Sequence, residues 1–108
     1  MEGTELIAFN IISSVGEARS KLMEAIEISK NGEEEKATQL VDEANKLLTK
    51  GDQEHFKIIT EDAKKHNAEF SLLLVHAEDQ LMAAEIIRDL AQQMIQTNVK
   101  LFKLEKKN

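Results

Sequence analysis

The sequence LLLVHAEDQLM occupies positions 72–82 and is the most apolar stretch of the chain. It nevertheless contains one histidine and two carboxylates, His76, Glu78 and Asp79. A polar group in an apolar helix needs a partner or serves a chemical role, because its desolvation costs free energy. This segment therefore predicts a buried helix and also the position of a functional site.

The composition of the whole chain is typical of a helical bundle. The 108 residues are enough for one domain, spanning 1–108, and include no proline, tryptophan or tyrosine. The absence of cysteine excludes a disulfide framework and thiolate chemistry. A formal net charge of −6 disfavours nucleic acids and anionic membrane surfaces as partners, because both require a concentrated basic face. We therefore expect an all-α protein.

From the sequence we expect neither a signal peptide nor a membrane span. No charged segment followed by an apolar one opens the chain, and no apolar run approaches the roughly 18 residues of a spanning helix. We therefore expect a cytoplasmic protein that does not insert directly into a membrane.

Apolar residues recur with helical spacing in the first two thirds of the chain. The first helix is predicted to begin near Thr4 and to end at the pair Asn31-Gly32, which is typical of a helix C-terminus. The second is predicted to begin at residues 33–35, three glutamates suited to the positive end of a helix dipole. Its apolar pattern stays in phase through Gly51, which favours one long helix over two helices broken there.

The third helix is predicted from about Phe70 to about Lys106, after a loop at residues 64–67, and it is apolar on two sides. At about 100° per residue, one side carries Leu72, Val75, Met82 and Ile86. The other side carries Leu73, Leu74, Ala77, Leu81 and Ala84. A monomer with three helices would leave one of these faces exposed. The pattern therefore predicts an antiparallel three-helix bundle that forms an oligomer with the third helix at its centre.

Asp79 falls within the first of these faces. Copies of Asp79 could meet around the axis of a cyclic oligomer and share a cation, since hard cations take carboxylate oxygens. Alternatively, Asp79 could pair with a lysine or arginine of another helix, and spacing alone favours this ion pair.

His76 falls between the two apolar faces, with Gln80 one turn later. A neutral imidazole in this position could act as a nucleophile. Alternatively, it could be a half-buried histidine whose hydrogen bond goes to a carbonyl. Of the other histidines, His55 is expected at the boundary of the core and His66 in a loop, and neither forms a metal-binding pair.

Two segments resemble one family. Residues 70–82, FSLLLVHAEDQLM, resemble the active-site segment FSLLLVHAQDHLM of the lactose/cellobiose-type IIA components of the phosphoenolpyruvate-dependent sugar phosphotransferase system. Residues 11–20, IISSVGEARS, resemble the family's I-I-x-x-x-G-x-A-R-S stretch. The resemblance covers essentially the whole chain and implies a continuous second helix.

The resemblance also implies an assembly and a reaction. The assembly is a homotrimer with the third helices packed around the threefold axis. His76 would accept a phosphoryl group from HPr and pass it to a cysteine of the IIB component, while the membrane component IIC selects the sugar. Asp79 from each subunit would bind one divalent metal ion on the axis, Mg²⁺ by preference.

The chain departs from the family pattern at two positions of this segment. Gln80 replaces a histidine; it can donate a hydrogen bond to a phosphoryl oxygen but carries no positive charge. Glu78 replaces a glutamine, and its helical angle directs it away from His76.

Two other functions are compatible with a helical bundle. A histidine-phosphotransfer signalling domain would carry H-x-x-K-G, but residues 77–80 here read AEDQ. A structural helical oligomer would explain the apolar faces, but not why His76 and Asp79 interrupt the most apolar stretch.

Overall fold

The structure, a computed structural model, describes residues 3–65 and 72–107 and contains three helices in this range. They are α1 (Gly3–Ser29), α2 (Glu34–Lys65) and α3 (Leu72–Lys106). No strand occurs among the described residues. The expected all-α fold with three helices is thus confirmed.

Contacts between the helices define their directions. The ion pair between Lys21 of α1 and Glu43 of α2 fits an antiparallel α1–α2 pair. The amide of Asn98 on α3 donates to Ser29 Oγ at 2.9 Å, so the C-terminal halves of α1 and α3 lie side by side. The chain therefore runs up, down and up through the bundle, as predicted.

The core is built from one stripe of each helix. The buried apolar residues are Ala8, Ile11, Val15, Ala18, Leu22, Ala25 and Ile26 of α1, Ala37, Val41, Ala44 and Leu48 of α2, and Ala77, Leu81, Ala84, Ala91, Ile95 and Val99 of α3. Alanines contribute many of these positions, so the helix backbones can approach closely. Of the two apolar faces predicted for α3, the core therefore uses the one that contains Ala77, Leu81 and Ala84.

The predicted end of α1 at Asn31-Gly32 is confirmed to within two residues. The helix ends at Ser29, and the amide of Gly32 donates to the Ser29 carbonyl at 3.0 Å. Gly32 has a φ of +78°, in the left-handed region, and a Cβ at this position would overlap the ring of Phe102. Only glycine satisfies both conditions without strain.

The second helix is continuous through Gly51, as its apolar phase predicted. Gly51 is buried, and a Cβ built there would lie 3.2 Å from Leu81 Cδ1 and 3.6 Å from Val15 Cγ2. The glycine thus allows α2 to pack closely against both other helices. This close packing offsets the cost of about 1 kcal/mol for a glycine inside a helix.

The predicted boundary between α2 and the following loop needs a correction. Lys64 and Lys65 belong to α2 and not to the following loop. Lysine is a good helix former and is favoured near a helix C-terminus, so these residues extend the helix. The predicted start of the first helix near Thr4 is confirmed, since α1 begins at Gly3. The rest of the predicted loop, with His66, and the predicted start at Phe70 lie outside the described residues.

None of the three helices, as far as they are described, is long and apolar enough to cross a membrane.

Candidate functional site

The predicted site residues lie in the first turns of α3, and their helical angles separate them. Ala77 is fully buried in the core. His76 and Asp79 are exposed, whereas Glu78 and Gln80 are half-buried. The most apolar stretch of the chain is therefore buried on one side only, and two of its polar residues face outward.

His76 lies free at the edge of the bundle. Within residues 3–65 and 72–107, its imidazole makes no hydrogen bond and no ion pair. The expectation of a half-buried histidine bonded to a carbonyl is therefore wrong for the described chain. Gln80 lies one turn further along α3, which places its amide on the same side of the helix. An accessible imidazole with an amide donor one turn away can accept a group at nitrogen.

The surroundings of His76 are apolar and exposed. Leu72 is 78% exposed, and Leu73 and Val75 are also exposed beside the histidine. Exposed apolar side chains around a polar centre are typical of a surface that binds other proteins.

Asp79 lies in a line of exposed apolar residues along α3, which we name the α3 stripe. The stripe consists of Val75, Met82, Ile86, Leu90, Met94 and Leu101. Among the described residues, no lysine or arginine pairs with Asp79, so the predicted ion pair within the chain is not formed. Its carboxylate therefore lies within an apolar surface and has no partner in the described chain.

The described residues of one chain do not by themselves complete a metal site at Asp79. The described part of one chain contains no group of three His, Asp or Glu residues that could hold a metal ion. Asp79 therefore supplies one carboxylate, and a hard cation such as Mg²⁺ would need the same residue of other copies or water as further ligands.

The structure also shows a hydrogen bond that the sequence did not predict. His55 Nε2 of α2 lies 3.1 Å from Glu78 Oε1 of α3. His55 is half-buried, as expected for the core boundary, but its partner was missed. The antiparallel register of α2 and α3 is the signal that could have revealed this partner. Gly51 faces Leu81. One turn further along the contact, His55 follows Gly51 and Glu78 precedes Leu81, so these two side chains meet.

Two carboxyl groups meet in the next part of the α2–α3 contact. Burial raises the pKa of Glu85, and the charge and hydrogen bond of Asp52 raise this pKa further. Arg88 acts in the opposite direction, but its guanidinium also bonds to Asp89 at 3.1 Å. Glu85 is therefore held in a position that disfavours its charged form.

Known proteins match this chain in sequence and fold. The sequence profile of the family described as "PTS system, Lactose/Cellobiose specific IIA subunit" matches residues 6–98. The chain belongs to this family. Its IIA relatives include a lactose-specific EIIA component of Staphylococcus epidermidis, 34% identical over 85% of this chain and 88% of the relative. A lichenan-specific IIA component of Bacillus subtilis is 36% identical over 93% of this chain and 91% of the relative.

The IIA fold is also confirmed by a solved structure. The crystal structure of the cellobiose-specific enzyme IIA from Bacillus anthracis matches with a TM-score of 0.86 and 32% identity, covering 94% of each chain. Membership of the IIA family, which the two sequence segments indicated, is thereby confirmed. Of the three functions considered from the sequence, it supports a phosphoryl carrier in a sugar phosphotransferase system.

Proposed function

We propose that this IIA protein carries a phosphoryl group on His76, accepting it from HPr and passing it to a cysteine of a IIB component. The observation that supports this most directly is the imidazole itself. It is exposed, has no partner among the described residues, and lies on the segment by which the chain resembles its family. A nucleophile that exchanges phosphoryl groups with two successive proteins must be accessible in this way.

The transfer is a substitution at phosphorus, and its atoms balance without any other reactant. A ring nitrogen of neutral His76 attacks the phosphoryl group of phospho-HPr; a new N–P bond forms while the bond to the donor breaks. In the second step the thiolate of the IIB cysteine attacks, an S–P bond forms, and His76 recovers its lone pair. The protein is thus an intermediate carrier and returns to its starting state.

Gln80 is our candidate for a hydrogen-bond donor to the phosphoryl group. It is half-buried and follows His76 by one turn, so its amide can reach the oxygens of a group bound to the histidine. The amide can donate a directional hydrogen bond to the phosphoryl group, but it carries no positive charge. We therefore assign it a stabilising role and assign the nucleophile to His76 alone.

We also propose that three copies assemble through the α3 stripe. In one chain the stripe exposes Met82, Ile86 and Leu90 by about 60% each, along a single side of a 35-residue helix. A contiguous apolar surface of this kind is rarely left open to water. Packing three such helices around a threefold axis would bury the stripe and would bring three Asp79 carboxylates together.

A divalent cation fits the three carboxylates. Asp79 carries only oxygen donors, which hard cations such as Mg²⁺ prefer, and exposed Val75 and Met82 flank it on the stripe. The cation would offset the repulsion between three like charges at the axis. We assign the cation no part in the proposed transfer, which takes place on the imidazole of His76.

The partners follow from this position in the relay. HPr and IIB must bind to the same histidine in turn, so each contact is transient and includes the apolar residues around His76. The carrier reaches the membrane component IIC only through IIB, and we propose that it works in the cytoplasm. The sugar is selected by IIC.

A reconstituted relay tests the proposed function. Phosphoenolpyruvate labelled in its phosphate is supplied with enzyme I, HPr, this protein and IIB components of the lactose and cellobiose types. We expect label on a IIB cysteine only when this protein is present. The variant His76→Gln, which replaces the imidazole by a polar amide of similar size that is not a nucleophile, should pass no label.

The relay also has a clear negative outcome. Label that reaches IIB as fast without this protein, or through the His76→Gln variant, would contradict the proposal. Thermal melting of the variant provides the control, since an exposed side chain should contribute little to stability.

A further inference from the structure

A hydrogen bond joins α2 to the α3 segment that carries His76. His55 Nε2 and Glu78 Oε1 lie 3.1 Å apart, and the two side chains are 30% and 39% exposed. The imidazole is the donor, since a carboxylate has no proton to donate. We propose that this bond orients His76 for phosphoryl transfer, so that His55 and Glu78 are positioning residues of the reaction proposed above, on which this inference rests.

Among the described residues, few side chains of the first turns of α3 pack against the bundle. Before Leu81, only Ala77 is fully buried, and Leu74 is half-buried against the core. The remaining apolar side chains of these turns are exposed: Leu72, Leu73 and Val75. The methyl group of Ala77 fills space but restricts rotation weakly. A directional bond at Glu78 therefore supplies a constraint that the apolar packing lacks.

The bond and the nucleophile lie on opposite sides of one helix. His76 and Glu78 are two residues apart, which corresponds to about 200° around the helix axis. A bond that fixes Glu78 against α2 therefore sets the rotation of α3, and this rotation determines where His76 points. Transfer between proteins is sensitive to such changes, because a misplacement of about 1 Å can cost about 100-fold in rate.

The close contact at Gly51 acts together with this bond. A Cβ at Gly51 would lie only 3.2 Å from Leu81 Cδ1, so the glycine sets the distance between α2 and α3. The His55–Glu78 bond follows on the next turn of both helices. Distance and rotation are thus fixed at consecutive turns directly beside the histidine.

The chain offers a matched control for this bond. Lys21 Nζ of α1 lies 3.2 Å from Glu43 Oε2 of α2, and this pair is also half-exposed and also joins two helices. Glu43 precedes His55 by twelve residues, which is about 18 Å along the helix. Breaking the control pair tests what the loss of any interhelical polar contact does to transfer.

The test measures phosphoryl transfer from phospho-HPr to the protein in rapid-mixing experiments, well below the melting temperature. We expect His55→Ala and Glu78→Ala each to lower the maximal transfer rate about tenfold, with less than about a twofold change in the HPr concentration at half-saturation. The double variant should be no slower than either single variant, because both substitutions remove the same bond.

A conservative variant separates positioning from stability. Glu78→Gln keeps a carbonyl oxygen that accepts the bond, so it should retain the wild-type rate within about twofold. Lys21→Ala should also retain the wild-type transfer rate, even if this substitution lowers the melting temperature as much as His55→Ala does. In NMR spectra of the ring nitrogens, the His76 signals should shift in His55→Ala and Glu78→Ala, and stay in place in Glu78→Gln and Lys21→Ala.

Two outcomes would overturn the inference and leave the proposed function intact. One is a wild-type protein that is phosphorylated on His76 while His55→Ala and Glu78→Ala transfer at the same rate. The other is an equal loss of rate in Lys21→Ala, which would show a general effect of stability. A wild-type protein that accepts no phosphoryl group would overturn both proposals together.

Discussion

At the scale of single residues, three polar side chains of one apolar stretch have three different surroundings. Glu78 bonds to His55 of α2, and Asp79 lies in the exposed apolar surface of α3. His76 is exposed on the side of the helix opposite to Glu78 and has no partner among the described residues. Their positions differ only by the angle of each residue on the helix. The direction of the His76 side chain therefore depends on the rotation of α3, and Ala77, buried in the core, and Glu78, bonded to α2, both lie beside it on this helix.

The carboxyl group of Glu85 should make stability depend on pH. Burial and neighbouring Asp52 raise its pKa in the folded protein. The folded state then binds a proton more tightly than the unfolded state, so stability falls as the pH rises from the ordinary pKa of glutamate through the raised pKa. We expect Glu85→Gln to raise the melting temperature at pH 7 and to have no such effect below the ordinary pKa.

Melting curves between pH 3 and pH 8 check this prediction, with Asp89→Asn as the control. Asp89 adds a smaller repulsion to Glu85 and also bonds to Arg88, so its removal should change the pH dependence less. A variant Glu85→Gln that is less stable than the wild type at pH 7 would contradict the account of this carboxyl group.

The sequence predicted which polar residues are unusual, but not all of their partners. His76 and Asp79 could be selected because each interrupts an apolar pattern. The partner of Glu78 could not be predicted in this way. His55 is 23 residues away in the sequence, and only the register between α2 and α3 brings the two side chains together. Such a register depends on which side chains are small enough to allow contact, as at Gly51.

At the scale of helices, the phase of the apolar pattern was a better guide than individual residue types. Gly51 followed by Asp52 has the composition of a turn, yet the apolar stripe continues in phase across it and the helix is continuous. By contrast, the predicted loop begins at Lys64, whereas Lys64 and Lys65 belong to the helix. The apolar pattern cannot show whether polar residues at the end of a helix belong to it, because they are not part of that pattern.

Gly32 and Gly16 should respond in opposite ways to substitution by alanine. Gly32 has a left-handed backbone, and a Cβ there would overlap Phe102, so Gly32→Ala should lower the free energy of unfolding by about 1–3 kcal/mol. Gly16 lies within α1 with nothing within 4 Å of an added Cβ. Gly16→Ala should therefore raise the free energy of unfolding by about 0.5–1 kcal/mol.

Urea unfolding followed by circular dichroism measures both variants. Equal changes in the two free energies would contradict the different roles of these glycines. A Gly16→Ala variant that is as stable as expected but slow in accepting phosphate from HPr would show that the outer face of α1 approaches a partner closely.

At the scale of the whole molecule, the apolar surface of α3 exceeds what one bundle can bury. Ala77, Leu81 and the other buried residues on the same side of α3 pack into the core. The α3 stripe is exposed on another side of the helix. Both faces could be predicted from helical angles. The sequence could not show which of them packs within the chain, because this depends on how closely α1 and α2 approach α3. The side with more alanines allows that approach.

The proposed trimer predicts a specific effect of charge in the α3 stripe. Ile86 is 61% exposed in one chain, and Ile86→Asp would place three more carboxylates at the axis, where desolvation and repulsion disfavour them. We expect this variant to be monomeric by size-exclusion chromatography with light scattering, whereas the wild type is trimeric. Met23 of α1 is similarly exposed at 56%, and Met23→Asp should stay trimeric.

A monomeric wild-type protein would contradict both the trimer and the shared cation. A trimer that persists in Ile86→Asp would show that another surface forms the contact.

The central claim, that His76 carries the phosphoryl group, is tested most directly by locating the phosphate. The protein is incubated with phosphoenolpyruvate, enzyme I and HPr, kept at alkaline pH because phosphohistidine is labile to acid, and fragmented in a mass spectrometer. We expect one phosphate per chain, located on His76 and absent from His76→Gln. Phosphate on another residue, or an unmodified chain beside fully phosphorylated HPr, would contradict it.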